Sequence, residues 1–252
     1  MNIKYSILIL LSSISFISSL SFADMNFEQE LQQGCAKIAS SAQMGKKYYD
    51  QKQYAKAIEQ FEYQAAWTQF CQLNAEDHKT TLTDRDVDVA NNNVGLSYAK
   101  LDKPLWARAW FLRTPDSKIS QYNLKQLKLP KIANQPTGMY VKSAGFGQWS
   151  TMTVSKTAKT YQIAFDGYYF GLGGLIYGPN MGSFETNMPL SANQAHFRYE
   201  DCKIDLKFGQ DQYGRKIEVQ QNDPASNCGF GHNVYADGTY YQVETLNKST
   251  SQ

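Results

Sequence analysis

The side chains that could carry chemistry are few and scattered. Three histidines, His78, His196 and His232, stand far apart, and none belongs to an H-E-x-x-H or C-x-x-C pattern, so their spacing builds no metal site. His232 close after Cys228 would suit a cysteine–histidine nucleophile pair. An even set of cysteines in an oxidising compartment is expected to be bonded instead, which removes the thiol. Gly171 to Gly174 is glycine-rich but lacks the following Lys and Ser or Thr of a phosphate loop. Asp84 to Asp88 lacks the spacing and the glycine of a calcium-binding EF-hand loop. No nucleophile with a base in reach can be assembled, so the sequence reads as non-enzymatic, with no cofactor and no metal.

What brings such residues together starts with export. Residues 1–23 have the layout of a secretory signal peptide: Lys4 supplies a positive start, an apolar run extends to Leu20, and Ser21-Phe22-Ala23 closes it with small residues. Serines at 12, 13, 15, 18 and 19 interrupt the run, whereas a permanent span needs about 20 predominantly apolar residues. Cleavage is expected before Asp24, leaving no integral membrane segment; an uncleaved N-terminal anchor is the alternative. Loss of Lys4 leaves 24 of the 25 basic residues against 23 acidic ones. That balance argues against nucleic acid as a partner, because phosphate binding needs clustered Lys and Arg. Cys35, Cys71, Cys202 and Cys228 remain, and disulfides are the default reading. Composition changes near Pro130 with two cysteines on each side, so pairing within each half is the economical choice.

From Asn26 to Thr114 the pattern is helical, with apolar residues three or four apart and few glycines. Inside it Gly45, Tyr48, Ala57 and Phe61 recur 50 residues later as Gly95, Tyr98, Ala107 and Phe111. Each unit should be a helical hairpin in which glycine admits the second helix and Phe fills the gap. With a turn near Lys52, Cys35 and Cys71 come to about the same height, and a bridge closing that loop is worth about 3 to 4 kcal/mol. This pattern resembles the tetratricopeptide repeat, which places a large apolar residue, then Gly, Tyr, Ala and Phe in that order. It departs from the family where Ser41 and Asn91 replace the leading Trp, where Gln64 and Thr114 replace a late Ala, and where about 16 residues separate the units. A plain helical bundle accounts for the same spacing. The resemblance implies a groove lined by first-helix positions, here Lys46, Tyr49, Asn92 and Leu96; an ordinary solvated face is the competing reading.

Residues 115–136 read as a connector with a short amphipathic helix, punctuated by Pro130 and Pro136. The period then becomes two. Ala195, Phe197 and Tyr199, then Cys202, Ile204, Leu206 and Phe208, alternate with polar neighbours, and about seven or eight strands are expected. The anticipated fold is α+β: antiparallel helical hairpins over 24–130, a linker at 131–136, an antiparallel β-sandwich or barrel over 137–246, and a tail at 247–252. The later text, Cys202 to Phe208, Ile217 to Gln221 and above all Cys228 to Tyr240, resembles a β module of small periplasmic proteins that accompanies helical domains of the LprI lysozyme-inhibitor kind. That resemblance implies a periplasmic location and a Cys202–Cys228 bridge, and no particular ligand.

Gly167 to Gly178 carries Tyr168, Tyr169, Phe170, Leu172 and Leu175 on a glycine frame, a candidate contact loop if exposed and ordinary core strands if not. Phe230 and His232 form a second candidate turn. The expectation is a periplasmic factor that binds proteins of the periplasm or cell envelope, such as an accessory of a type VI secretion assembly. The alternative is an inhibitor or immunity protein against lysozyme or another cell-wall hydrolase.

Overall fold

A computed structural model describes residues 27–74, 81–132, 134–171, 173–223 and 226–245. The expected signal peptide and its cleavage point, His78, Leu172 and the tail at 247–252 lie outside the described residues. The expected α+β order is present: helices come first and an antiparallel sheet follows.

The helices are α1 (Phe27–Ala36), α2 (Ile38–Asp50), α3 (Tyr54–Leu73), α4 (Asp84–Lys100), α5 (Pro104–Phe111) and α6 (Lys118–Gln126). The 50-residue repeat extends into the turns. Lys52 and Asp102 both have left-handed backbones, at φ 59° and 56°. The next amide reaches back over each: Gln53 N–H donates to the Tyr48 carbonyl at 2.8 Å and Lys103 N–H to the Tyr98 carbonyl at 3.0 Å. Both first helices therefore stop through the same left-handed C-terminal closure. Pro104 then opens α5, where its missing N–H has no intrahelical partner to lose. In each unit the ring of the later Phe lies against the bare Cα of the earlier Gly, Phe61 at Gly45 and Phe111 at Gly95.

The units differ where the second helix faces away from the first. Lys56 and Glu59 are exposed in α3, whereas their counterparts in α5 are Trp106 and buried Ala109, followed by buried Trp110. That apolar face of α5 is spent on the sheet. Ala109 packs with Val141 and Val243, flanked by Trp106, Met139 and Trp149.

The strands are β1 (Gly138–Gly145), β2 (Gln148–Lys156), β3 (Thr160–Tyr169), β4 (Asn180–Pro189), β5 (Gln194–Tyr199), β6 (Cys202–Asp211), β7 (Gly214–Gln221) and β8 (Gly238–Glu244), with a one-turn helix α7 (Gly174–Tyr177) between β3 and β4. They form one antiparallel sheet in the order β4-β3-β2-β1-β8-β7-β6-β5. It curls into a nearly closed barrel: across the seam between β4 and β5, the Thr186 hydroxyl donates to the His196 carbonyl at 2.7 Å. Of the two expected β architectures, the barrel form is the one present. Alternation along β6 sends Cys202, Ile204, Leu206 and Phe208 inward, where they meet Tyr140, Met152, Phe165 and Tyr240. The two interior tyrosines satisfy their hydroxyls on backbone carbonyls, Tyr140 on Pro136 at 2.8 Å and Tyr240 on Ala236 at 2.9 Å.

Both sulfur links join cysteines within one half. Cys35 and Cys71 have Cα atoms 6.0 Å apart and tie α1 to the end of α3; Cys202 and Cys228 are 5.0 Å apart and tie β6 to the loop before β8. Beside the first bridge, the β1–β2 hairpin tip reaches the helices. Phe146 meets Trp67 and Phe70 edge-on, each at 5.0 Å, and stacks on Phe170 at 4.3 Å.

Candidate binding surfaces

Two surfaces arise from these elements. The first is a groove of about 510 Å³ between α2 and α4, floored by α3. Successive first helices of stacked hairpins present the same face, so residues 50 apart become opposite walls. Lys46, Tyr49, Ala42 and Gln43 come from α2, Val89, Asn93 and Leu96 from α4, and Phe61 and Gln64 from α3. Lys46 donates to Asp50 at 2.7 Å, so the groove's cation is matched by its carboxylate. Gln64 and Asn93 join through their amides at 3.4 Å, leaving donor and acceptor capacity on the floor. The Tyr49 ring meets Tyr54 edge-on at 5.3 Å, and burial raises its hydroxyl above the ordinary tyrosine value.

Three of the four expected groove residues, Lys46, Tyr49 and Leu96, thus come together. Asn92 does not join them. It is 2% exposed and serves the packing of α6: its amide donates to the Ser120 hydroxyl at 2.9 Å and to the Asp88 carbonyl at 2.7 Å, and accepts from Asn123 at 2.8 Å. One residue further along the helix, about 100° of rotation, places Asn93 on the groove wall instead.

The second surface lies at the end of the barrel where β3 runs into β4. Here the turn carrying Phe230 and His232 meets the start of β4, directly after the segment 167–178. Gly231 N–H donates to the Met181 carbonyl at 2.8 Å, and the Asn180 side-chain amide donates to the His232 carbonyl at 2.8 Å. Their residues divide between core and surface. Phe170 and Leu175 pack with Phe70 and the Cys35–Cys71 bridge, and Phe230 fills the space over Gly182, where a β-carbon would lie 2.6 Å from its ring. Those three are packing residues. Tyr168 is half-buried, and its N–H donates to the Ser150 hydroxyl at 3.2 Å. Tyr169 and His232 are exposed. The most exposed apolar side chains of this surface are Tyr177 at 89% and Ile176, inside the expected contact segment, and Met181 at 60%, just beyond it. Ile176 and Tyr177 sit on α7, which is too brief for a periodicity signal, and Met181 lies at the start of β4.

No protein-family model, curated protein or solved structure matches the chain. Among the described residues no helix is long and apolar enough to cross a membrane. No group of three His, Cys, Asp or Glu among them is placed to hold a metal ion. His196 does stand beside a carboxylate, with Nδ1 2.6 Å from Asp205 Oδ1. Arg198 contacts the same oxygen at 2.6 Å, and the two together hold Asp205 below the usual carboxylate range. The three side chains form an exposed charged cluster on β5 and β6.

Proposed function

We propose that this chain is a non-enzymatic protein-binding factor of an oxidising compartment, the periplasm by the export reading, and that its helical groove receives a segment of a protein partner. The observation that carries this reading is the groove between α2 and α4, where Tyr49, Phe61, Val89 and Leu96 offer apolar contact and Gln43, Gln64 and Asn93 offer amides. Amide groups that both donate and accept suit a peptide backbone, and the internal Lys46–Asp50 pair removes any strong preference for a charged ligand. Two disulfides fit an extracytoplasmic setting. They also hold the parts rigid, which lowers the ordering cost of binding. Within this reading an accessory role in an envelope-spanning assembly, a type VI secretion system among them, is the specific form, and the resemblance of the 50-residue repeat to the tetratricopeptide pattern is its rationale.

A second reading, inhibition of lysozyme or another cell-wall hydrolase, is favoured by a separate observation. At this end of the barrel Ile176, Tyr177 and Met181 are exposed apolar side chains close in sequence, the kind that can anchor in a partner's cleft.

Crosslinking and recovery from periplasm with wild type, Tyr49→Ala, Leu96→Ala and Tyr177→Ala tests both. Loss of partner with the groove variants alone supports the first reading. Loss with Tyr177→Ala alone, joined by stoichiometric inhibition of lysozyme or an amidase, supports the second and removes the groove.

A further inference from the structure

A third concavity, of about 450 Å³, lies where α5 and the connector after α6 meet the barrel. One wall is apolar: Leu105, Leu129, Pro130 and Ile132. The other carries Arg108, Arg215 and Lys131, with Asp211 as its one carboxylate. Asp211 is already engaged by the Tyr213 N–H at 2.8 Å, the Tyr241 hydroxyl at 3.1 Å and Lys216 at 3.3 Å. The pocket is therefore cationic in a chain whose formal net charge is only +2.

Arg108 is the unusual member. It is 1% exposed, and its two terminal nitrogens donate to the backbone carbonyls of Tyr213 and Gln242, with the Tyr241 ring 5.4 Å away. Its Nε has no hydrogen-bond partner among the described residues. The 50-residue repeat puts Arg108 at the position of Ile58, a buried aliphatic residue in the first unit. A guanidinium thus replaces an apolar side chain where α5 faces the barrel, and among the described residues its hydrogen bonds go to backbone carbonyls. Asp211 acts on Arg108 only at a distance and is shared with Tyr213, Tyr241 and Lys216, and a buried charge so weakly compensated favours a group that brings a further negative charge. The same burial pulls Arg108 down to about 10, still cationic at neutral pH.

We propose that this junction pocket is a binding site for a carboxylate attached to an apolar body, its head toward Arg108, Arg215 and Lys131 and its body against Leu129, Pro130 and Ile132. Such a group comes either from a small organic acid or from the C-terminal residue of a peptide, and the site does not depend on the helical groove.

Isothermal titration of the folded, disulfide-intact protein tests this with octanoate, octanamide, acetyl-Ala-Ala-Leu with a free C-terminus, and the same peptide amidated. Binding of octanoate alone identifies the small acid as the source, and binding of the free-acid peptide identifies a chain end. In either case the uncharged amide should bind at least about tenfold more weakly, the value of one charge-assisted contact. Lys131→Glu, at an exposed position, should weaken the acid several-fold without lowering Tm, while Tyr49→Ala should leave it unchanged. Absence of binding by both acids at about 10 mM, equal binding of acid and amide, or indifference to both Lys131→Glu and Arg215→Gln would overturn the proposal.

Discussion

Gly95 on α4 lies so close to Phe111 on α5 that a β-carbon there would sit 2.3 Å from the ring, and Gly45 stands in the same relation to Phe61 at 2.6 Å. In an open helix Gly→Ala gains about 0.5 to 1 kcal/mol. Here the methyl must displace an aromatic ring in a packed core, which costs about 1 to 3 kcal/mol. Gly95→Ala should therefore lower stability by about 1 to 2 kcal/mol in denaturant titration. The double variant Gly95→Ala/Phe111→Leu should be more stable than the sum of its single changes, because the smaller side chain vacates the contested space. A Gly95→Ala protein as stable as wild type would mean that the ring yields freely.

The two helix-ending turns invite the opposite change. Lys52 and Asp102 hold left-handed backbones that cost an L-residue about 1 to 2 kcal/mol relative to glycine. Aspartate tolerates this conformation better than lysine. Lys52→Gly should raise stability by about 0.5 to 1 kcal/mol and Asp102→Gly by less. A drop in Tm for Lys52→Gly would show that its side chain contributes more than its backbone costs.

The repeated Gly, Tyr, Ala and Phe were legible because each carries a steric requirement that survives as a residue type. The two sulfur links followed from the split of the four cysteines about Pro130. β4 was not legible: Asn180, Gly182, Ser183 and Pro189 dilute its pattern, and only Phe184 and Met188 are buried apolar residues on it. The joint between helices and barrel escaped notice for a different reason. Trp106, Ala109 and Trp110 are apolar, but their types do not name a partner, and Val141 and Val243 lie on strands far away in sequence. Asn92 and Asn93 differ by one position in a run of three asparagines, and helical rotation alone sends one to the core and the other to the groove.

Phe146 is held at φ 41° between two glycines, a conformation unfavourable for an aromatic residue. Its contacts with Trp67, Phe70 and Phe170 offset that strain and lock hairpin tip to helix. Phe146→Ala should destabilise by about 2 to 3 kcal/mol, below the full value for a completely buried ring. Tyr177→Ala, at an 89% exposed position, should stay within about 0.5 kcal/mol of wild type. Equal Tm values for the two variants would contradict the clasp.

The Cys35–Cys71 bridge spans a sequence separation of 36 and secures α1, whose buried Leu31 packs beside it with Phe70. Cys35→Ala/Cys71→Ala should cost about 3 to 4 kcal/mol. Hydrogen exchange should then rise first in α1 rather than uniformly. A uniform rise would place the bridge's effect on the whole fold instead of on this end.

The start of α4 supplies a pH-dependent element. Thr83 donates both its hydroxyl, at 2.7 Å, and its N–H, at 2.8 Å, to Asp86 Oδ2. The hydroxyl bond is the larger of the causes that hold the Asp86 carboxyl below its ordinary value. Because the folded value is the lower one, the unfolded chain binds more protons between the two. The contribution is therefore fully present above the ordinary aspartate range and is lost as the pH falls through the folded value. Asp86 is exposed, so solvent screening limits the size of this effect. Asp86→Ala should cost about 0.5 to 1 kcal/mol at pH 7 through the lost cap, and less at pH 3. Tm measured across that range should bring the two proteins together on acidification; parallel curves would mean that Asp86 acts through helix propensity rather than through its charge.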